Sequence, residues 1–120
     1  MIRYRALRLA AFWVAMLFAY VSALVPGEEA PTLGSSDKID HVTAFLVLTL
    51  LARLAYPRRP EWLIAIALSA FGAFIEISQA IPLFHRDASV LDWVADSGAI
   101  VVGLAIAAVA GRRMPRLFAG

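Results

Sequence analysis

The stretch Ile75–Gly98, IEISQAIPLFHRDASVLDWVADSG, places Glu76, Gln79, His85, Arg86, Asp87, Asp92 and Asp96 between two apolar runs. The runs, about 61–81 and about 89–110, are each near the roughly 20 residues needed to cross about 30 Å of hydrocarbon. Read this way, the stretch is a polar hairpin joining two membrane-spanning helices, and the rest of the chain falls into the same pattern. Two more apolar segments precede it, at about 6–25 and about 37–56. Pro26, Pro57 and Pro82 lie just beyond the ends of the first three segments, and Gly111 follows the fourth. Proline cannot continue a helix, so these positions serve as stops. Ser36 is placed to cap the second segment, and Ser89 to Asp92 has the spacing of a capping box for the fourth.

Composition supports this frame. Of the 120 residues, 62% are hydrophobic, and the mean hydropathy is +0.78. A soluble domain of this size buries too little surface to hide so much apolar material. The chain has no cysteine, which removes disulfides and thiolate metal sites. The expectation is an all-α, integral membrane four-helix bundle formed by one domain over residues 1–120.

Charge sets the topology. Every basic residue except Lys38 and Arg86 lies before or at the start of the first segment, at the end of the second or in the turn to the third, or after the fourth. The excess of arginine on cytoplasmic loops of membrane proteins then predicts that both termini are cytoplasmic. The same clustering argues against nucleic acid as the partner, despite a pI of about 9.5. A competing reading of the N-terminus is a cleaved signal peptide, with Ser22 and Ala23 as small residues near a cleavage site. Its apolar core, about 17 residues, exceeds the usual range of about 7–15.

The acids partition oppositely. All but Glu61 fall in the outer loops or outer halves of the segments, together with His41 and His85. At 100° per residue, Asp37, His41, Ala44, Leu48 and Ala55 share one face of the second segment. Ala65, Ser69, Gly72, Glu76 and Gln79 share a face of the third, with Phe71 and Phe74 pointing away; Asp92, Asp96, Ala99, Gly103 and Ala110 share a face of the fourth, with Val94, Val101 and Leu104 pointing away. Small residues let membrane helices approach closely, so the three stripes are expected to meet, with the first segment as a largely apolar buttress. Their polar ends would form one outward-facing site.

Within it, Glu76 is the most informative residue. An ionisable group at membrane depth costs about 2.5–3.5 kcal/mol on insertion scales, and a functional site or a packing lock with Gln79 would offset that cost. Asp37 and His41 are spaced to touch, as a helix-start carboxylate beside an interfacial histidine or as an oriented imidazole that moves protons. Lys38 is either an interfacial cation or a ligand for an anion. Arg86 can take phosphate or carboxylate in a fork, or pair with Asp87 or Asp92. Asp92 and Asp96, one turn apart, repel if both ionise, which calls for a proton, a cation or Arg86 between them. A divalent cation on His41, Glu76, Asp92 and Asp96 is the weaker alternative, because no dense ligand spacing is present; no cofactor is expected. There is no nucleophile elbow and no phosphate-binding glycine loop.

Two blocks of this sequence resemble the VanZ-like membrane family. DKIDHVTAFLVL (37–48) is similar to the signature D-K-x-x-H-x-x-x-[FY] that opens the family's second span. GAFIEISQAIPLFHRDASVLDWVADSGAIVVG (72–103) is similar to its second block, an E-x-x-Q followed by a short Arg-containing loop, S-x-x-D-x-x-x-N and a glycine-rich span. The family pattern falls on Asp37, Lys38, His41, Glu76, Gln79, Arg86, Ser89, Asp92 and Asp96. Position 96 departs from it, with Asp where Asn is commoner, and Gly98 falls one place early. The resemblance implies a bacterial cytoplasmic-membrane protein linked to the cell envelope and related to teicoplanin-resistance proteins, without implying a particular reaction.

The leading expectation is a pocket facing the outside that recognises a lipid-linked or cell-wall-related amphiphile, with modification of that amphiphile left open. His41, Glu76, Asp37 and Asp92 would carry the chemistry, and Lys38, Gln79, Arg86, Ser89 and Asp96 the binding. The alternatives are a non-enzymatic scaffold for lipid or a partner and a proton-coupled transporter, in which four helices would need a homodimer to enclose a path.

Overall fold

The computed structural model describes the backbone of residues 2–24, 37–79 and 90–114, and the side chains of 4–24, 42–78 and 93–114. The described chain is all-helical: α1 (Ile2–Leu24), α2 (Asp37–Ala55), α3 (Glu61–Gln79) and α4 (Val90–Arg113). Three of these are long and apolar enough to cross a membrane, with windows at Tyr4–Leu24, Glu61–Ser78 and Trp93–Arg113. Among the described residues, Val42–Ala55 of α2 is a shorter apolar stretch.

The helix ends follow local chemistry. At the close of α2, the amide of Arg59 donates to the Tyr56 carbonyl at 3.2 Å, and Arg53 Nη1 donates to the Arg59 carbonyl at 2.8 Å. This fastens the five-residue connection from Tyr56 to Pro60 back onto α2. Pro60 then starts α3 by accepting bonds from the amides of Leu63 and Ile64. The stop expected at Gly111 is corrected: α4 passes through it to Arg113. Glycine weakens a helix interior without ending it. Pro115 is the breaker, since a residue before proline is driven out of helical conformation.

Contacts fix the directions of the helices. Phe12 packs edge-on against Tyr56, and Trp13 Nε1 donates to the Tyr56 hydroxyl at 3.0 Å. Tyr20, higher on α1, stacks on Phe74 and shares a 2.9 Å hydrogen bond with Ser78. Thus α1 runs against α2 and along α3. Phe45 and Asp96 both face Gly72, and Thr49 faces Gly103, so α2 and α4 run parallel and α3 runs against both. The most extensive packing is α2 on α4, then α3 on α4, then α1 on α2; α1 and α4 occupy opposite corners.

The α2–α4 approach has a visible cause. A Cβ built on Gly103 would lie 2.8 Å from Thr49 Cβ and 2.9 Å from Thr49 Cγ2. Only glycine allows that approach, and in lipid such close packing replaces the hydrophobic drive. Phe45, Leu48, Ile75 and Ile100 are also fully buried in the core. Thr49 itself is fully buried and donates Oγ1–H to the Phe45 carbonyl one turn back at 2.7 Å. The outer surface is apolar: Leu17, Phe18, Ile66, Ile77, Val101 and Val102 are all exposed. Water would not tolerate patches of this extent on a monomer, and the surface fits a membrane protein.

Candidate functional site

Leu48, Ala55, Gly72, Glu76, Asp96, Ala99 and Gly103 are buried, and Ala44, Ala65, Ser69 and Ala110 are half-buried. Phe74, Val94 and Val101 are exposed, as their phase requires, whereas Leu104, expected to point away as well, is half-buried and packs against the core. Phe71 departs from its expected outward position. It is half-buried and meets Phe45 and Tyr20, because α1 covers that flank of α3.

The centre of the candidate site is Gly72. A Cβ there would lie 3.3 Å from Phe45 Cζ, 3.4 Å from Asp96 Oδ2 and 3.5 Å from Trp93 Cδ1. α2, α3 and α4 therefore meet at one level. Asp96 is fully buried at 0% exposure, and Glu76, one turn further along the same face of α3, is buried at 9%. Two carboxyl groups thus lie inside a bundle whose outer surface is apolar. Each takes part in an interaction within the protein.

The register extends the site outward. One helical turn beyond the Phe45–Gly72–Asp96 level, the backbone positions are His41 on α2, Glu76 on α3 and Asp92 on α4. A further turn carries Asp37 and Lys38 on α2 and Gln79 at the end of α3. The helix directions thus bring these backbone positions to one end of the bundle. The side chains of Asp37, Lys38, His41, Gln79 and Asp92 are outside the described set, as are Arg86 and Ser89 entirely. Among the described residues, no three His, Cys, Asp or Glu side chains are grouped to hold a metal ion.

Comparison with family models, with curated proteins and with solved structures gives no match. The geometry therefore carries the functional argument.

Several polar partners escaped the sequence reading. Trp93 reads in sequence as an interfacial aromatic, yet its Nε1 donates to the Ser69 carbonyl at 3.0 Å, and its ring lies beside Gly72. Ser69 and Ser97 share a 3.0 Å hydrogen bond across α3 and α4. The Tyr20–Ser78 pair gives α1 a polar contact near the outer end of α3, so α1 is more than an apolar buttress. The signal for Ser69 was its place on the glycine face. For Ser78, Ser97 and Tyr20 no spacing marked them, because each depends on which neighbour lies opposite.

Proposed function

We propose that this chain is a four-span protein of the bacterial cytoplasmic membrane, with both termini cytoplasmic and a polar pocket opening to the outside. In this reading the pocket takes the polar head of an amphiphile, a lipid-linked phosphate or cell-wall precursor, and modifies it. The observation that carries the reading is the burial of Asp96 against Gly72 and of Glu76 one turn further along α3, at the level of His41 and Asp92. Buried carboxyl groups in an apolar helix bundle are costly, and such positions mark ligand or proton sites. Arg86 and Lys38 would hold an anionic head group. His41, oriented by Asp37, would act as general base or acid, with Glu76 as its partner acid. Asp92 and Asp96 would orient Arg86 or share a cation, while Gln79 and Ser89 would complete the binding set. Membership of the VanZ-like family is part of this proposal and rests on the two sequence blocks.

A second reading, a non-enzymatic lipid- or partner-binding scaffold, is favoured by one observation: Asp96 is wholly buried behind Gly72 and Trp93, a position suited to locking helices together. Alanine variants at His41, Glu76, Arg86 and Asp92 separate the two, provided each accumulates normally in membranes. The pocket reading expects each to lose the envelope or glycopeptide-susceptibility phenotype of the wild type. Full phenotype in all of them would sink it. Loss in Glu76→Ala with full recovery in Glu76→Gln would favour the scaffold, because a neutral amide can pack but cannot relay a proton.

A further inference from the structure

The end of the bundle opposite the candidate site is built around arginine. The start of α1 brings Arg5, the last turn of α2 Arg53, the connecting turn Arg58 and Arg59, and the last turn of α4 Arg112 and Arg113. Helix directions gather these onto one face, since α1 starts where α2 and α4 finish. All except the half-buried Arg53 are exposed. Among the described residues, the acid at this end is Glu61. The Arg53 bond to the Arg59 carbonyl holds the turn, and with it Arg58 and Arg59, at the rim.

Topology alone does not account for this composition. Lysine and arginine are equivalent for the orientation of membrane proteins, yet the chain's lysine, Lys38, stands at the other end. Arginine differs by presenting a planar fork that matches a phosphate with paired hydrogen bonds. Directly beside these guanidinium groups lies an exposed apolar skirt: Tyr4 and Leu7 on α1, Trp62 on α3, and Val109 and Met114 on or beside the end of α4. An acidic protein or a nucleic acid would match the charge and leave the skirt unused. A phosphodiester carrying acyl chains matches both.

We infer that this end of the bundle is a binding surface for anionic phospholipid, with phosphodiester head groups held in the forks of Arg58, Arg59, Arg112 and Arg113 and acyl chains lying on the apolar skirt. The inference rests on the reading that the helices span a bilayer.

The test uses the full chain purified in a neutral detergent, delipidated, and offered phosphatidylglycerol or phosphatidylcholine of matched acyl chains. Retention is read by native mass spectrometry. A single engaged guanidinium gives about fivefold preference for the anionic lipid, so the wild type is expected to retain phosphatidylglycerol at least about fivefold over phosphatidylcholine. The quadruple variant R58K/R59K/R112K/R113K keeps the net charge and the orientation signal but loses the forks. Its preference is expected to fall by at least about twofold relative to the wild type, because charge is kept while the paired hydrogen bonds are lost, with an unchanged unfolding temperature in phosphatidylcholine. If that variant fails to fold, R112K/R113K, altered only at the exposed end of α4, carries the same comparison. Equal retention of the two lipids by the wild type, or wild-type preference in the lysine variant that folds, overturns the inference. Release of the wild-type protein from membranes by alkaline carbonate overturns the membrane reading and this inference together. A protein that resists carbonate yet shows no lipid preference overturns this inference alone.

Discussion

Two glycines on α4 make different predictions from one structure. Gly103 faces Thr49 so closely that a new Cβ would stand 2.8 Å and 2.9 Å from two of its carbons, whereas nothing lies within 4 Å of a Cβ at Gly98. Non-bonded carbons prefer about 3.5–4.0 Å, so Gly103→Ala must push α2 and α4 apart by roughly 0.7 Å or more. Overpacking of this kind costs about 1–3 kcal/mol. Gly98→Ala meets no such wall and gains the helix preference of alanine, up to about 1 kcal/mol. Both substitutions gain that preference, so it cancels between them, and the two should differ by about 1–3 kcal/mol with Gly103→Ala the less stable. The assay is equilibrium unfolding in detergent micelles, followed by tryptophan fluorescence and far-ultraviolet circular dichroism. Adding Thr49→Gly to Gly103→Ala should recover stability relative to the sum of the two single changes, by at least about 1 kcal/mol of coupling. If Gly103→Ala proves as stable as Gly98→Ala, the close α2–α4 contact is wrong.

Other outcomes follow from the same contacts. Tyr20→Phe and Ser78→Ala should each cost about 0.5–1.5 kcal/mol, and the double variant no more than the larger single one, since both remove one hydrogen bond; additive losses in the double-mutant cycle would refute the pairing. Gly72→Leu should abolish folded protein in membranes, because Phe45, Asp96 and Trp93 already crowd the site; normal accumulation after detergent extraction and gel filtration would count against that crowding. Asp96→Asn, near in shape, should unfold within about 1 kcal/mol of wild type, whereas Asp96→Leu should lose about 3 kcal/mol or more by placing branched carbon where a flat carboxyl fits beside Gly72. Comparable stability of the two variants would show that the shape of the group at 96 is immaterial.

Much of the helical layout was legible because its determinants are local. Apolar runs of spanning length and the proline at 57 placed α2 and α3 within a residue or two of their described bounds. The buried faces were also legible, because period and side-chain size together singled out Gly72, Asp96, Ala99 and Gly103. What a sequence pattern does not contain is the identity of the neighbour. Gly103 announced a close approach without naming Thr49 as its partner. Phe71 looked lipid-facing because its phase opposes Gly72, yet α1 lies on that side. Gly111 looked like a stop because glycine ends many helices, whereas the stronger constraint came from Pro115. At the candidate site, the stripe of Glu76 and Gln79 was visible in the residues. The role of Trp93 was not, because it depends on its ring reaching the Ser69 carbonyl across two helices.

The parallel pairing of α2 with α4 has a consequence for assembly. These helices share the bundle's most extensive packing, yet α3 separates them in the chain. When α1, α2 and α3 have left the ribosome, the faces of Phe45, Leu48 and Thr49 still lack the surface they are shaped to meet. A contact between segments distant in sequence forms late, after the intervening loop is closed. The last helix to be synthesised is thus the one that seals the middle of the molecule. Until it arrives, the three-helix intermediate leaves Thr49 without the glycine it packs against. Biogenesis, more than the finished fold, is then the step most exposed to errors in α4.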